Sequence, residues 1–270
     1  MKVALIILNY NGKDIIAECI DGALKQDCKP KIFVIENGST DVSLNVLGKY
    51  MTQIEMVRND INENFTTAYN KVYKRIYNYF DIVGLISNDV FLYDKNTVSS
   101  IISVFEADSN IGQVAPKSIR PDGSLDLIAK KEYTFENLIS SFSLKRKKKI
   151  ATLDQLHSKV VDVLQDSCVF IKTQTIENKI YDENLKFYFT EDYLSKMIKR
   201  SGYKNYYSAE QSVNHLVSYS TEKRNLALSY KLQYFDAISY CKIFFPNKLT
   251  VFKLSTFLVF LIKFMYYKFR

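Results

Sequence analysis

The sequence predicts an α/β fold in which a parallel sheet is covered by helices on both faces. Three observations carry that expectation. Short apolar runs alternate with stretches of helical periodicity over the first hundred residues, each run ends in a polar turn, and Gly (8) and Pro (4) are scarce among 270 residues. Repeated β–α units generate parallel strands, because each crossover helix returns the chain to the same end of the sheet. A chain of this length buries a substantial core, so one α/β domain with an appendage is expected.

Residues 3–8 form a continuous apolar run that stops at Asn9-Tyr10-Asn11-Gly12. This is a first strand; six residues are too few for the apolar stretch of a signal peptide. A helix to about Lys25 follows, with Ile15, Ile16, Cys19, Ile20 and Ala23 on one face. Residues 31–35 are the next strand, and Ser39 or Thr40 is placed to cap a helix beginning near Asp41. Strands at 54–58 and 82–87 and helices at 66–79 and 96–108 complete the alternation. Ligands in such sheets sit beyond the carboxyl ends of the strands. Those ends are Asn9-Tyr10-Asn11, Glu36-Asn37-Gly38, Arg58-Asn59 and Ser87-Asn88-Asp89, all polar and rich in Asn or acids. Beyond residue 112 the periodicity is mixed: a turn at Pro121-Asp122-Gly123, a strand at 161–172, a helix at 191–201 stopped by Gly202, and short strands at 203–207 and 212–215.

Hydrophobic content of 47% with 24% charged residues excludes a disordered chain. The net charge of +8 is uneven: residues 1–144 hold 15 Lys/Arg and 18 Asp/Glu, residues 145–270 hold 22 and 11. A basic second half fits nucleic acid, anionic lipid or a phosphate-bearing substrate, and charge alone does not choose among them. No nucleic-acid-binding module accompanies it. The run from Lys145 to Lys149 reads first as a solvated loop, with contact to anionic lipid or a pyrophosphate acceptor as the alternative. Cys19, Cys28, Cys168 and Cys241 form no C-x-x-C pair and read as reduced thiols of a cytosolic protein.

Several segments, in order, carry a resemblance. They are Ile6-Ile7-Leu8-Asn9-Tyr10-Asn11-Gly12; Val34-Ile35-Glu36-Asn37-Gly38-Ser39-Thr40-Asp41; Asn62-Glu63-Asn64-Phe65 with Asn70; the strand ending in Ser87-Asn88-Asp89; Tyr181 to Asp192; and Val213-Asn214-His215. Together they resemble family 2 glycosyltransferases of the GT-A fold, most closely the rhamnosyltransferase-like members that build bacterial surface polysaccharides such as capsule or O-antigen. The resemblance covers residues 1–220 and implies a Rossmann-like mixed sheet flanked by helices, followed by a basic helical extension at 221–270.

The resemblance also implies roles. Asn9, Tyr10, Asn11, Glu36, Asn37, Asn62, Asn70 and Asn88 surround the nucleotide-sugar, with Glu36 reading the pyrimidine or ribose. Asp89, at the place of a D-x-D motif, and His215 hold a divalent metal, Mn2+ or Mg2+, which neutralises the diphosphate leaving group. Asp192 is the base that deprotonates the acceptor hydroxyl, and Glu191 supports it. The residues themselves also admit plainer readings: a capped turn at 36–39, a turn aspartate at 89, acids placed by the helix dipole at 191–192, and a structural histidine at 215. The sequence departs from the family pattern at Asn64, where Gly is usual, at Ser87, which replaces the first acid, and at Leu194, where another acid is often found.

The reaction so implied is inverting transfer of a hexose or rhamnose from a UDP- or dTDP-sugar to a saccharide or polyprenyl-diphosphate-linked acceptor. A sugar-phosphate nucleotidyltransferase is the rival enzyme class, but the G-x-G-T-R loop expected after its first strand is absent. A non-catalytic nucleotide-sugar-binding or scaffold subunit is opposed by the joint presence of Asp89, Glu191, Asp192 and His215. Residues 223–270 hold nine Lys/Arg and one acid, Asp236. Their apolar run at 254–262 is short against the 20 or so residues of a span, so an interfacial helix on anionic lipid at the inner face of the cytoplasmic membrane is expected, with packing on the domain or on a partner subunit as the alternative.

Overall fold

The computed structural model describes residues 1–143, 155–217 and 225–269; the basic run at 145–149 lies outside them. The first half contains β1 (Val3–Asn9), α1 (Ile16–Leu24), β2 (Lys31–Asn37), α2 (Ser43–Leu47), β3 (Glu55–Asn59), α3 (Phe65–Ile76), β4 (Ile82–Ser87), β5 (Val90–Phe91), α4 (Thr97–Ala107) and β6 (Ile111–Ile119). There follow β7 (Leu125–Asp126), β8 (Ala129–Lys130), α5 (Phe135–Ser141), β9 (Lys159–Val161), β10 (Val163–Leu164) and β11 (Cys168–Lys172). The last elements are α6 (Thr190–Arg200), β12 (Lys204–His215), α7 (Leu226–Phe244) and α8 (Leu249–Lys268).

The main sheet runs β3-β2-β1-β4-β11-β6-β12-β5, with β7 on β6 and β9 on β12. The first four strands are parallel, as the alternation predicts. The sheet is nevertheless mixed, because β11 runs antiparallel to both β4 and β6. Successive side chains of β1 enter opposite cores: Ala4 and Ile6 join the layer containing α3, while Leu5 and Ile7 join the layer containing α1 and α4. Burial on both faces explains why β1 reads as an unbroken apolar run.

Three local expectations are corrected. The single strand expected at 161–172 is divided among β9, β10 and β11, since β10 leaves the main sheet to pair with β8. The two short strands expected at 203–207 and 212–215 are one strand, β12, with a register shift between Ser208 and Ser212. Neither Ser39 nor Thr40 caps α2. Ser39 Oγ instead accepts from Asn11 N at 2.9 Å, and Asp41 Oδ1 accepts from Ser43 N at 2.9 Å.

Tyr230, Tyr234, Ala237, Tyr240 and Cys241 of α7, with Phe252 and Phe260 of α8, belong to the same hydrophobic cluster as α3 and α6. Tyr234 and Phe260 stack at 4.1 Å, and Phe142 meets Phe252 edge-on at 5.9 Å. By length and composition alone the 23-residue helix Pro246–Lys268 is sufficient to cross a membrane. Lys253 and Lys263 are the only charges in residues 249–266, and length alone does not distinguish a crossing helix from one lying at an interface.

Phe252→Ala removes a ring with no exposed surface and should lower stability by about 3–5 kcal/mol. Urea unfolding followed by circular dichroism is expected to show one transition at lower midpoint. A separate early transition, with the main midpoint unchanged, would mean that the helical pair is not part of the common core.

Candidate active site

The carboxyl ends of β1, β2 and β4 are tied together by buried side chains. Asn9 Nδ2 donates to Glu36 Oε2 at 2.6 Å, and Asn88 Nδ2 donates to Asn9 Oδ1 at 2.9 Å. Glu36 Oε1 accepts from Ser39 N at 2.7 Å, so both of its oxygens have partners within the chain. Asn11, at φ 51°, takes Thr40 N on its own Oδ1 at 2.8 Å. The backbone at Gly12 lies against this network, and a Cβ there would sit 2.2 Å from Asn88 Nδ2. Tyr10, between these contacts, is half-buried.

A second knot joins β2 to β3. Asn37 Oδ1 accepts from Asn59 Nδ2 at 2.9 Å and from Glu63 N at 3.1 Å, while its Nδ2 reaches Asn62 Oδ1 at 3.1 Å and Glu63 O at 2.8 Å. Gly38 has φ 67°, and a Cβ on it would meet the Ile61 and Asn62 backbone at 2.4–2.8 Å. Glycine is therefore required there on two counts. Asn70 takes no part in this knot. Its amide brackets the segment before α6, donating to Tyr181 O and Glu183 Oε1 and accepting from the Ile180 and Tyr181 N–H groups. Of the eight nucleotide-site candidates, Asn9, Asn11, Glu36 and Asn88 form or adjoin one cluster, Asn37 and exposed Asn62 form another, Tyr10 lies in the loop after β1, and Asn70 stands apart.

Asp89 and His215 meet where β5 pairs with the end of β12. Both are buried, and Asp89 Oδ1 lies 3.6 Å from His215 Nε2, beyond a normal hydrogen bond. The other ring nitrogen, Nδ1, faces Asp126 Oδ2 at 3.0 Å, and Arg120 holds Asp126 Oδ1 at 2.9 Å. Burial disfavours the charged imidazole, but Asp126 and Asp89 outweigh it and lift its pKa to about 9. Asp126 orients the ring through Nδ1 as a carboxylate beside a metal-binding histidine does, and a cation held by Nε2 and Asp89 would take the place of the Nε2 proton. Among the described residues no group of three or more His, Cys, Asp or Glu could cage a metal. The pair fits a Mg2+ or Mn2+ ion that takes only one or two protein ligands and completes its shell with phosphate oxygens and water.

The third cluster opens α6. Phe189, the residue before the helix, is held at φ 64°, which is costly for an aromatic residue. Its ring lies 5.3 Å from both Tyr133 and Tyr240. Next in the chain, Glu191 and Asp192 share one cation: Lys130 Nζ lies 2.8 Å from Glu191 Oε1 and 2.8 Å from Asp192 Oδ2. Asp192 Oδ1 is buried and has no hydrogen-bond partner among the described residues. Burial pushes the Asp192 carboxyl up to about 7, with Glu191 adding and Lys130 opposing. At Glu191 burial also raises the pKa, but Lys130 outweighs it and the group is held below its ordinary value. Asp166 stands behind them, bonded to Tyr181 Oη at 2.8 Å and pushed up to about 7 by burial and by Glu191. The backbone bond from Ser87 N to Ser167 O, 2.8 Å, ties this cluster to the end of β4.

Sequence reading missed Lys130, Asp126, Asp166 and Asp236. Asp236, on α7, is almost fully buried and accepts from the backbone N–H groups of Lys186, Phe187 and Tyr188 at 3.0, 2.9 and 2.8 Å. It thereby fixes the loop that delivers Phe189 and the two acids. One signal was available: it is the sole acid in 223–270. Lys130 and Asp126 lie in segments without periodicity and carried none, and Asp166 was absorbed into the single strand expected at 161–172.

Comparison with known proteins bears on the family and the fold. The family described as Glycosyl transferase family 2 matches residues 4–160. Over 60 residues the chain is 35% identical to the poly(ribitol-phosphate) beta-glucosyltransferase of Bacillus spizizenii, covering 21% of this chain and 10% of that protein. Among solved structures, S. aureus TarS aligns with a TM-score of 0.59 at 15% identity over 89% of this chain and 40% of that one. The mannosyltransferase PcManGT from Pyrobaculum calidifontis, solved with GDP-Man and Mn2+, aligns with a TM-score of 0.61 at 15% identity over 95% of this chain and 69% of that one. GalNAc-T7, solved with UDP, GalNAc and Mn2+, gives 0.56 at 14% identity over 80% of this chain and 44% of that one. The structural likenesses establish the GT-A fold, and the chain spans only a tenth of its curated relative and less than half of TarS.

Asp236→Ala leaves three backbone donors without their acceptor and should cost roughly 3 kcal/mol. Hydrogen exchange is expected to accelerate at the Lys186, Phe187 and Tyr188 amides while β1 and β4 remain protected. Unchanged exchange at those amides would show that α7 does not hold the loop.

Proposed function

The chain belongs to glycosyl transferase family 2, and from that membership we infer that it is a metal-assisted, inverting hexosyltransferase of bacterial surface-polysaccharide synthesis. The donor is a UDP- or dTDP-sugar, with rhamnose or a hexose as the moiety transferred. The acceptor is a saccharide or a polyprenyl-diphosphate-linked glycan, met at the inner face of the cytoplasmic membrane. The observation that carries this reading is the buried Asp192 Oδ1, without a partner among the described residues, beside a Lys130-bound Oδ2.

An acceptor hydroxyl is a poor nucleophile at neutral pH, and a carboxylate within hydrogen-bond reach removes its proton as the new bond forms. Asp192 Oδ1 is the acceptor for that proton. Lys130 holds the other oxygen and stabilises the charged form, while Glu191 completes the ion cluster and keeps Lys130 in place. A pKa near 7 suits the task, because the group is partly ionised at neutral pH yet basic enough to take a proton. Asp89 and His215 would hold the divalent ion, whose chemistry is to neutralise charge developing on the departing diphosphate. The linked ends of β1 and β2 form the floor for the nucleoside, with Glu36 holding Asn9 and the Ser39 amide in place. Attack on the face of the sugar opposite the diphosphate inverts the anomeric centre.

Asp192→Asn keeps the shape of the side chain and removes the proton acceptor. Turnover should fall roughly 10²–10⁴-fold with little change in donor affinity, and the wild-type product should carry the inverted anomeric configuration by NMR. Near-normal turnover in the variant, or a retained configuration, would remove the assignment. Calorimetry separates the two halves of the donor site. Asp89→Ala should weaken metal-dependent binding of the nucleoside diphosphate but spare the free nucleoside, whereas Glu36→Ala should weaken both. Identical losses for both ligands in both variants would contradict this division.

A further inference from the structure

Helix α8 is apolar on more than one side. Its inner side carries Phe252, Thr256 and Phe260, buried against α7 and Phe142. Farther along, Tyr267 meets Tyr230 at 5.5 Å, and Lys263 Nζ donates to Ser143 O at 2.7 Å. The outer side presents Val251, Leu254, Leu258, Leu261, Ile262 and Met265 to solvent, with Leu254 79% and Leu258 67% exposed. Residues recurring at three- and four-residue spacing along nearly the whole helix make a continuous stripe, larger than a soluble monomer ordinarily leaves uncovered.

We propose that this outer stripe of α8 lies in the plane of an anionic lipid surface and seats the enzyme on the membrane that carries its acceptor. The proposal rests on the glycosyltransferase reading above and adds to it the surface, the orientation and the lipid-borne state of the acceptor. Charge selects the occupant. Residues 237–270 contain no Asp or Glu, and exposed Lys253 and Lys268 lie on the same helix. Apolar side chains flanked by cations match a bilayer interface with anionic headgroups, where the lysine stems extend toward the phosphates. A second copy of this chain would bring two acid-free, cationic faces together, which is unfavourable.

Packing selects the orientation. A crossing helix would have to leave α7, yet α8 is attached to it or to its neighbours from Phe252 to Tyr267. Helix α7 itself cannot enter hydrocarbon with α8, because its Asp236 is bonded to the loop before the catalytic helix. The same bonds make the seating consequential: the loop that leads through Phe189 into Glu191 and Asp192 of α6 is held to the helical pair that touches the lipid.

The test uses the full chain with vesicles of phosphatidylcholine alone or mixed with phosphatidylglycerol. Sedimentation should show binding to the mixed vesicles, partial release by high salt as surface attraction is screened, and full release by alkaline carbonate. The double variant Leu254→Glu with Leu258→Glu, altered only at exposed positions, should bind at least tenfold more weakly with an unchanged thermal transition. Its transfer to a vesicle-borne polyprenyl-diphosphate acceptor should fall in parallel, while UDP-sugar or dTDP-sugar binding and slow donor hydrolysis stay at the wild-type level. Absence of vesicle binding, retention after carbonate as for a spanning helix, or a wild-type dimer abolished by the double variant would each overturn the proposal. Vesicle binding without any nucleotide-sugar binding would instead count against the glycosyltransferase reading and leave the lipid surface standing.

Discussion

Acidic groups crowded into one buried pocket are unstable unless a cation is placed among them, and the start of α6 is organised around that constraint. Glu191 and Asp192 are adjacent in sequence, Asp166 stands behind them, and Lys130 is the cation that bridges the first two. Its position depends on a small structure outside the main sheet: β8 pairs with β10, and Gln155 Oε1 accepts from the Ile128 and Ala129 N–H groups at 3.1 and 3.2 Å. Neighbouring carboxylates raise one another's pKa, whereas a lysine at 2.8 Å lowers both. The outcome is asymmetric, with Glu191 held ionised and Asp192 left near neutrality. A general base differs from a structural salt bridge in just that respect.

The rest of the fold brings the proposed base and the proposed nucleoside floor together. Parallel strands β1 to β4 end together, and their terminal Asn and Glu side chains cross-link the loops that follow. Beyond β4, the antiparallel β11 enters with the Ser87–Ser167 contact, which draws Asp166 and the start of α6 toward the strand ends. Helix α7 then closes the arrangement from the far end of the chain through Asp236 and Tyr240. Local strain at Phe189 is tolerated because aromatic packing and the Asp236 bonds over-determine that turn.

What was legible in the sequence follows from how each feature is encoded. The β–α alternation, the polar strand ends, Asp89, His215 and the Glu191-Asp192 pair are local patterns, and the structure puts them at element boundaries where such patterns belong. Lys130, by contrast, bonds across 61 and 62 residues, and Asp126 meets His215 across 89. No periodicity links such partners, so they emerge only when the chain is folded. Ser39 shows a local rule overridden by a tertiary one: a hydroxyl well placed for capping serves the loop after β1 instead. The helical end was legible as an apolar, basic segment, but its full length was not, because two lysines interrupt the apolar run within one long helix.

The central claim is that Asp192 is a base whose basicity Lys130 restrains. Its most direct test is the pH dependence of kcat/KM for the wild type and for Lys130→Met, since that profile reports the free enzyme. The base must be deprotonated to act, so wild-type kcat/KM should rise with pH through about 7 and then level. Loss of the lysine cation removes the stabilisation of the charged carboxylate, and the rise should move at least about one pH unit higher. A flat wild-type profile through neutrality, or a rise that stays in place in Lys130→Met, would contradict the account.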